Sequence, residues 1–285
     1  MPTIGEIYYD RIKNCKDFGI SSADIRLLIA HNEGLFQQID VIFHQNDEMK
    51  HLKLFNEQYE RLKRGEPVEY IIEEAEFLGL KLHVDRRVLI PRGETEELVA
   101  LLSERASDYF DPRNYLVCAD IGTGSGAITL GVKSAFPNWV MVATDIDKDA
   151  MDVAKENFAH YGVKVDTYLG DSLQPLIDKN IKADILISNP PYIVNENDAQ
   201  PSVKDYEPAK ALWLSEANDV YEKIFQNVDK VRRGFLLMLF EISPDLKDRL
   251  TFLMEKYLQN YNFEFIQDLG EFDRFLLVSL EDENE

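Results

Sequence analysis

The chain has few cysteines, no long apolar run and no surplus of basic charge, and each absence closes off a class of function. Cys15 and Cys118 are the only cysteines among its 285 residues. They stand far apart, and Cys118 falls inside an apolar run that reads as a buried strand. Neither a disulfide framework nor a cysteine metal cluster is therefore expected. His83 and His160 show no ligand spacing either, so no metal site is expected. No apolar stretch reaches the roughly 18 residues of a membrane span, and Met1-Pro2-Thr3-Ile4-Gly5-Glu6 has neither a basic region nor an apolar signal core. These absences predict a cytoplasmic protein with no membrane partner. Lys and Arg number 31 against 52 Asp and Glu, a formal net charge of −21. The deficit is spread out, with nine basic against fourteen acidic residues in 1–74 and 22 against 38 in the remainder. Such a surface repels phosphate backbones, whose binding rests on neutralisation by Lys and Arg, so stable nucleic-acid binding is not expected.

What is present falls into three parts. Residues 1–66 carry helical periodicity: Ile4, Ile7, Tyr8, Ile12 and Cys15 share a face, and Ser21-Ser22 precede an apolar run from Ile25 to Ala30 as caps do. A third segment covers Leu35 to Phe43. A fourth runs from Asp47 to Arg64, striped by Leu52, Phe55, Tyr59 and Leu62 and stopped by Gly65 and Pro67. This predicts a small helical bundle, either a partner-docking domain or a structural cap. Residues 67–92 read as a β-hairpin linker, with Tyr70-Ile71-Ile72, Glu76-Phe77-Leu78 and Leu80 to Val84 as short strands and Gly79 at the turn. Residues 93–285 open with a helix that has an acidic start and runs to about Phe110. Strands are then expected at 115–120, 139–145, 163–169, 182–188, 234–241, 262–268 and 273–280, and helices at 125–136, 148–160, 217–231 and 244–260. The alternation predicts an α/β fold, a doubly wound, mostly parallel seven-stranded Rossmann-like sheet with an antiparallel edge hairpin. The acidic tail 281–285 is expected to fray.

Chemistry concentrates where four of these strands end. Ala183-Asp184-Ile185-Leu186-Ile187 runs into Ser188-Asn189-Pro190-Pro191-Tyr192, and prolines cannot extend a central strand. The turn places two acceptors, the Asn189 side-chain oxygen and the Pro190 carbonyl, at a carboxyl strand end, where open parallel sheets bind ligands. With the Tyr192 ring alongside, this suits a planar group bearing an NH2. Earlier in the chain, Asp120-Ile121-Gly122-Thr123-Gly124-Ser125-Gly126 lies between a strand and its helix, and its glycines permit close backbone approach to a ligand. Asp145, 19 residues past Gly126, ends the next strand where a carboxylate can accept from both ribose hydroxyls. Gly170-Asp171-Ser172 ends the third and offers an acceptor for an adenine amine. Gly122, Gly124 and Ala127 also satisfy the dinucleotide pattern. An anion at Asp120 would repel a pyrophosphate, however, and suits the ammonium and sulfonium groups of S-adenosyl-L-methionine instead.

These motifs resemble those of the protein-(glutamine-N5) methyltransferases that modify peptide chain release factors, the HemK/PrmC-like family, and the resemblance covers nearly the whole chain. Leu89-Ile90-Pro91-Arg92-Gly93-Glu94-Thr95-Glu96, set after a helical domain and a hairpin, is similar to a segment of that family. Tyr206-Glu207-Pro208 with Ala211-Leu212, and Asp268-Leu269-Gly270 with Arg274, fit later landmarks. The chain departs from the pattern at Gly93, where proline is usual, and at Ser243-Pro244, at Glu73-Glu74 and after Leu212, where glycines are usual.

The resemblance implies methyl transfer from S-adenosyl-L-methionine to the glutamine amide of the Gly-Gly-Gln loop of class I release factors; a monomer is expected. It implies Asn189, Pro190, Pro191 and Tyr192 as catalytic. Asp120, Gly122, Thr123, Gly124, Ser125, Gly126, Asp145, Asp171, Ser172 and Asn189 would bind the cofactor, with Asp120 facing the methionine ammonium. The catalytic four, Leu89 and Arg92 would hold the substrate, Arg92 either steering it or pairing with Glu94 or Glu96. A nucleic-acid base amino-methyltransferase and a non-catalytic S-adenosylmethionine-binding protein remain as alternatives.

Overall fold

Capping geometry sets where the first helices begin. Thr3 and Ser21 each form a capping box: Thr3 Oγ1 accepts from the Glu6 amide while Glu6 accepts from the Thr3 amide, and Ser21 does the same with Asp24. Helices α1 (Ile4–Ile12) and α2 (Ser22–Glu33) follow. Helices α3 (Asp40–Phe43), α4 (Leu52–Leu62) and α5 (Val68–Ile72) complete the bundle around Ile25, Leu28, Ile29, Phe55 and Leu62. Helix α5 corrects the strand expected at Tyr70-Ile71-Ile72. Its β-branched residues bury into the bundle core, which outweighs their strand propensity, and Glu73 ends the turn at φ +56°, a conformation that glycine adopts without strain. The computed structural model describes residues 1–193, 201–215 and 219–280, and the acidic tail 281–285 lies outside them. Two compact units divide between Glu74 and Ala75, with 201–206 joined to the first unit.

Apart from Glu74, the hairpin β1 (Glu74–Phe77) and β2 (Leu80–His83) opens the second unit, its strands joined through Leu78 and Gly79, both at positive φ as a tight hairpin turn requires. Helix α6 (Gly93–Tyr109) leads into β3 (Val117–Ile121), α7 (Ala127–Ala135), β4 (Val140–Asp145), α8 (Lys148–His160), β5 (Asp166–Leu169), α9 (Gln174–Asp178) and β6 (Ala183–Ser188). After α10 (Pro201–Tyr206, of the first unit) and α11 (Ala209–Leu212) come α12 (Val220–Asn227), β7 (Arg232–Glu241), α13 (Lys247–Tyr257), β8 (Tyr261–Gln267) and β9 (Asp273–Leu280).

The seven strands order as β5-β4-β3-β6-β7-β9-β8. The first five are parallel, and β9 and β8 close the sheet antiparallel, as the sequence predicts. Both β3 and β6 are buried along their whole length because helices cover both faces. Alternate residues show this: Ala119, Leu186 and Met238 point into the core built with α12 and α13, and α6 packs against β7 as well as α7.

Gly126 holds the start of α7 at φ +83°, and a Cβ there would lie 2.5 Å from the buried Phe158 ring of α8. Gly126→Ala should cost about 1–3 kcal/mol of stability by overpacking and backbone strain, read by urea unfolding. An unchanged midpoint would mean that the loop is not held in this conformation.

Candidate active site

Parallel pairing brings the carboxyl ends of five strands to one edge. In sheet order these ends carry Asp171 after β5, Asp145 on β4, the glycine loop after β3, Asn189 after β6 and Glu241 on β7. A cavity at this edge is lined by Gly122, Thr123, Gly124, Ser125, Asp145, Asp171, Ser172, Asn189, Pro190, Pro191 and Leu89. Asp120, Gly126, Tyr192 and Arg92 do not line it, and each has a different place.

The Gly122 and Thr123 amides both donate to the Thr144 carbonyl at 2.9 Å, folding the loop back across β4. The Gly124 amide donates to Asp145 Oδ2 at 2.9 Å, and the Asp147 amide to Asp145 Oδ1 at 2.8 Å. Burial pushes the Asp145 carboxyl up, against these two N–H donors, which favour its charged form. A Cβ at Gly122 or Gly124 would meet no protein atom within 4 Å, so this part of the loop faces open room. Ser172 stands at φ +51°, and its hydroxyl is buried without a hydrogen-bond partner. Asp171 meets Lys223 Nζ at 2.5 Å. Acidic ends at Asp145 and Asp171, an unpaired Ser172 hydroxyl and a roomy glycine loop fit the ribose and adenine of S-adenosyl-L-methionine.

Asp120 sits behind the cavity wall, fully buried. Its Oδ2 accepts from the Thr123 and Thr129 hydroxyls, both at 2.7 Å, while Oδ1 is buried with no hydrogen bond to it. Burial pushes its carboxyl up to about 6, against the two hydroxyl donors. Asp120 thus pins the loop through Thr123.

At the other end of the cavity, Asn189 Nδ2 donates to Thr95 Oγ1 at 3.0 Å, and Thr95 Oγ1 donates to Glu241 Oε2 at 2.7 Å. The Tyr192 hydroxyl donates to Glu241 Oε1 at 3.3 Å, with the Tyr192 ring packed against the sheet core. Glu241 is fully buried, and burial pushes its carboxyl up to about 7. Burial also raises the Tyr192 phenol, with the nearby Glu241 carboxylate adding to it.

Arg92 pairs with the buried Glu207 carboxylate rather than with Glu94 or Glu96. The latter two sit on the first turn of α6, where Glu96 accepts from the Leu78 amide at 2.7 Å. The remaining landmarks also find places. Arg274 Nε donates to Asp268 at 3.1 Å, and Ser243 precedes a short turn of Pro244–Leu246. Gly93 begins α6 at an exposed position where a Cβ would meet nothing within 4 Å. Sequence reasoning missed Thr95 and Glu241 as site residues, together with Asp147 and Lys210, which line the cavity and pair at 2.8 Å.

A "Release factor glutamine methyltransferase" of Bacillus subtilis (strain 168) is 36% identical to this chain over 225 residues, 77% of each chain. That of Bacillus anthracis is 34% identical over 230 residues, covering 80% of this chain and 81% of its own, and that of Staphylococcus aureus 32% over 243, covering 83% and 85%. The chain belongs to the release factor glutamine methyltransferases. The family "Methyltransferase small domain" matches residues 101–205, within which the glycine loop, Asp145 and Asn189 lie. Its chemistry is therefore that of an S-adenosyl-L-methionine-dependent methyltransferase.

Among solved structures, the fold is shared by the hMettl16 catalytic domain (TM-score 0.53, 17% identity, 78% of this chain and 81% of that one). It is shared too by the T. thermophilus 16S rRNA methyltransferase in complex with AdoMet and guanosine (TM-score 0.52, 18% identity, 74% and 50%).

Asp145→Ala should weaken S-adenosyl-L-methionine binding by roughly tenfold or more, the equivalent of one charge-assisted hydrogen bond, when measured by calorimetry. Equal affinity would remove the ribose assignment. A pH dependence of stability also follows from Glu241, whose folded carboxyl is raised from 4.5 to about 7. Between those values the folded protein retains a proton that the unfolded chain has lost, so stability falls as pH rises and levels off above 7. From about pH 5 to pH 8 the wild type should lose about 2–3 kcal/mol relative to Glu241→Gln in urea unfolding.

Proposed function

We propose that this chain methylates the side-chain amide nitrogen, N5, of the glutamine in the Gly-Gly-Gln loop of class I release factors, supporting translation termination. The orientation of Asn189 carries this reading. With Nδ2 committed to Thr95, Oδ1 is the acceptor of the pair, set on a proline-stiffened turn at the cavity edge. S-adenosyl-L-methionine supplies, when bound, an electrophilic sulfonium methyl group. An amide nitrogen is a poor nucleophile because its lone pair is delocalised into the carbonyl. Asn189 Oδ1 and the Pro190 carbonyl accept its two hydrogens, which turns the lone pair toward the cavity and holds a near-attack geometry. Both acceptors bind more strongly as positive charge grows on nitrogen, so they favour the transition state over the ground state. No strong base is needed before transfer, and the proton leaves afterwards.

In this reading the glycine loop, Asp145, Asp171 and Ser172 hold the cofactor, and Asp120 acts through Thr123. Leu89 and the two prolines form the wall beside the acceptor amide, and Arg92, tied to Glu207, braces the segment that carries Leu89. Tyr192 contributes through its tie to Glu241. Residues 1–66 are the substrate-docking domain, a reading supported by the exposed apolar side chains Phe36, Ile39 and Phe43. The net charge of −21 argues against a nucleic-acid substrate, and among the described residues no helix is long and apolar enough to cross a membrane.

The test is methyl transfer from labelled S-adenosyl-L-methionine to an intact release factor, beside the same factor with its Gly-Gly-Gln glutamine changed to alanine and beside duplex DNA. Label on the intact factor alone is expected; label on DNA alone would replace this reading with base methylation. Asn189→Ala should slow transfer on the order of a hundredfold, roughly 3 kcal/mol of activation, by analogy with deletion of an oxyanion-hole donor. Near-normal turnover would reduce Asn189 to a turn cap.

A further inference from the structure

The Asn189 amide can present either its oxygen or its NH2 group to a substrate, and the two choices have opposite consequences. A substrate amide that offers N–H groups is held by Oδ1 and repelled by Nδ2. Something must select between the two orientations. The turn itself does not, because both amide faces have nearly the same shape.

The selection can be traced through hydrogen-bond polarity. An ionised carboxylate only accepts, so Glu241 Oε2 takes the single proton of the Thr95 hydroxyl, at 2.7 Å. With that proton committed, Thr95 Oγ1 meets Asn189 only as an acceptor, and Nδ2 must face it, at 3.0 Å. Oδ1 is thereby presented on the other side. The second carboxylate oxygen takes the Tyr192 hydroxyl at 3.3 Å, and the Glu241 main-chain carbonyl takes the Tyr221 hydroxyl at 2.8 Å, which anchors the end of β7. We propose that Glu241 is a positioning residue that, through Thr95, sets the amide orientation of Asn189 and, through its hydroxyl, the place of Tyr192. This rests on the reading of Asn189 Oδ1 as the acceptor for the substrate amide.

Protonation reverses the chain of donors. While the Tyr192 hydroxyl donates to Oε1, a neutral Glu241 carboxyl carries its proton on Oε2 and donates it to Thr95 Oγ1, the Thr95 proton turns to Asn189, and Asn189 then answers with Oδ1 and offers NH2 to the substrate. Burial and the neighbouring Glu94 of α6 raise the Glu241 carboxyl, to about 7, while Thr95 of α6, Tyr192 beyond β6 and Arg274 of β9 lower it. Tyr221 of α12 donates to the main-chain carbonyl of Glu241, its phenol raised by burial and by the Glu241 carboxylate, and Arg92, paired with Glu207, acts on Tyr192. The ionised form is the competent one, so kcat should rise with pH through about 7 and reach a plateau above it.

Three variants and one spectroscopic readout test this. Thr95→Val keeps the shape and removes the hydroxyl, and it should lower kcat on the order of 10- to 100-fold with cofactor affinity changed by no more than a few-fold. Thr95→Ser keeps the hydroxyl and should retain most of the rate. Glu241→Gln should lose the inflection near pH 7, which a merely structural role would leave in place.

The side-chain amide signals of Asn189, assigned in nitrogen-15 spectra by their loss in Asn189→Ala, should shift with the same inflection in the wild type and stay flat in Thr95→Val. Undiminished kcat in Thr95→Val, or amide signals indifferent to pH in the wild type, would overturn the proposal. The spectra need no substrate, so they still decide it if no release factor is methylated, and if Thr95→Val does not fold, Thr95→Ser and Glu241→Gln decide it.

Discussion

The register of the parallel ladder is the constraint on which the rest of this site depends. Ile121 pairs with Thr144, so the glycine loop leaves β3 beside Asp145, and Ser188 pairs with Phe240, so Asn189 leaves β6 beside Glu241. Parallel strands need crossovers, and the crossovers here return every chain to the same starting edge, so all five carboxyl ends emerge together. Asp145 and Asp171 lie on the β4 and β5 side of β3, and Asn189 and Glu241 lie on the β6 and β7 side. The two sets flank the point where the strand order changes direction.

Buried carboxylates do much of the positioning, and they are held by hydroxyl and N–H donors. Asp120 takes two threonine hydroxyls, Asp145 two backbone amides, and Glu241 a threonine and a tyrosine hydroxyl. Neutral donors offset only part of the desolvation of a carboxylate, which is why all three carboxyls are raised. In return each acceptor-only group dictates which way its neighbours' protons point. That direction is passed to the loop by Asp120 and to the Asn189 amide by Glu241. A hydrophobic replacement would pack as well and carry no such direction.

Arg92 and Tyr192 show where motif reading runs short. Arg92 has two acidic neighbours within four residues, yet its partner is Glu207, 115 residues away and drawn in by burial. Tyr192 follows the prolines directly, yet its ring packs on the core and its hydroxyl reaches a carboxylate 49 residues on. Tyr70-Ile71-Ile72 fails in another way. Its composition favours a strand, but the bundle core offers its apolar side chains more burial as a helical turn.

Local rules carried most of the architecture. Alternating apolar runs, glycines at a strand-to-helix turn, an acid at the next strand end and prolines after a buried strand each act over a few residues, so the α/β order, the glycine loop, Asp145 and Asn189 were legible from the chain alone. Thr95 and Glu241 were also in plain view, but as members of unrelated segments. Their hydrogen bond spans 146 residues, and no pattern of composition or spacing encodes which buried hydroxyl will meet which buried carboxylate. That pairing exists only once β7 lies beside β6 with α6 packed across it, because register and burial, acting over the whole sheet, bring the two groups within reach of one proton.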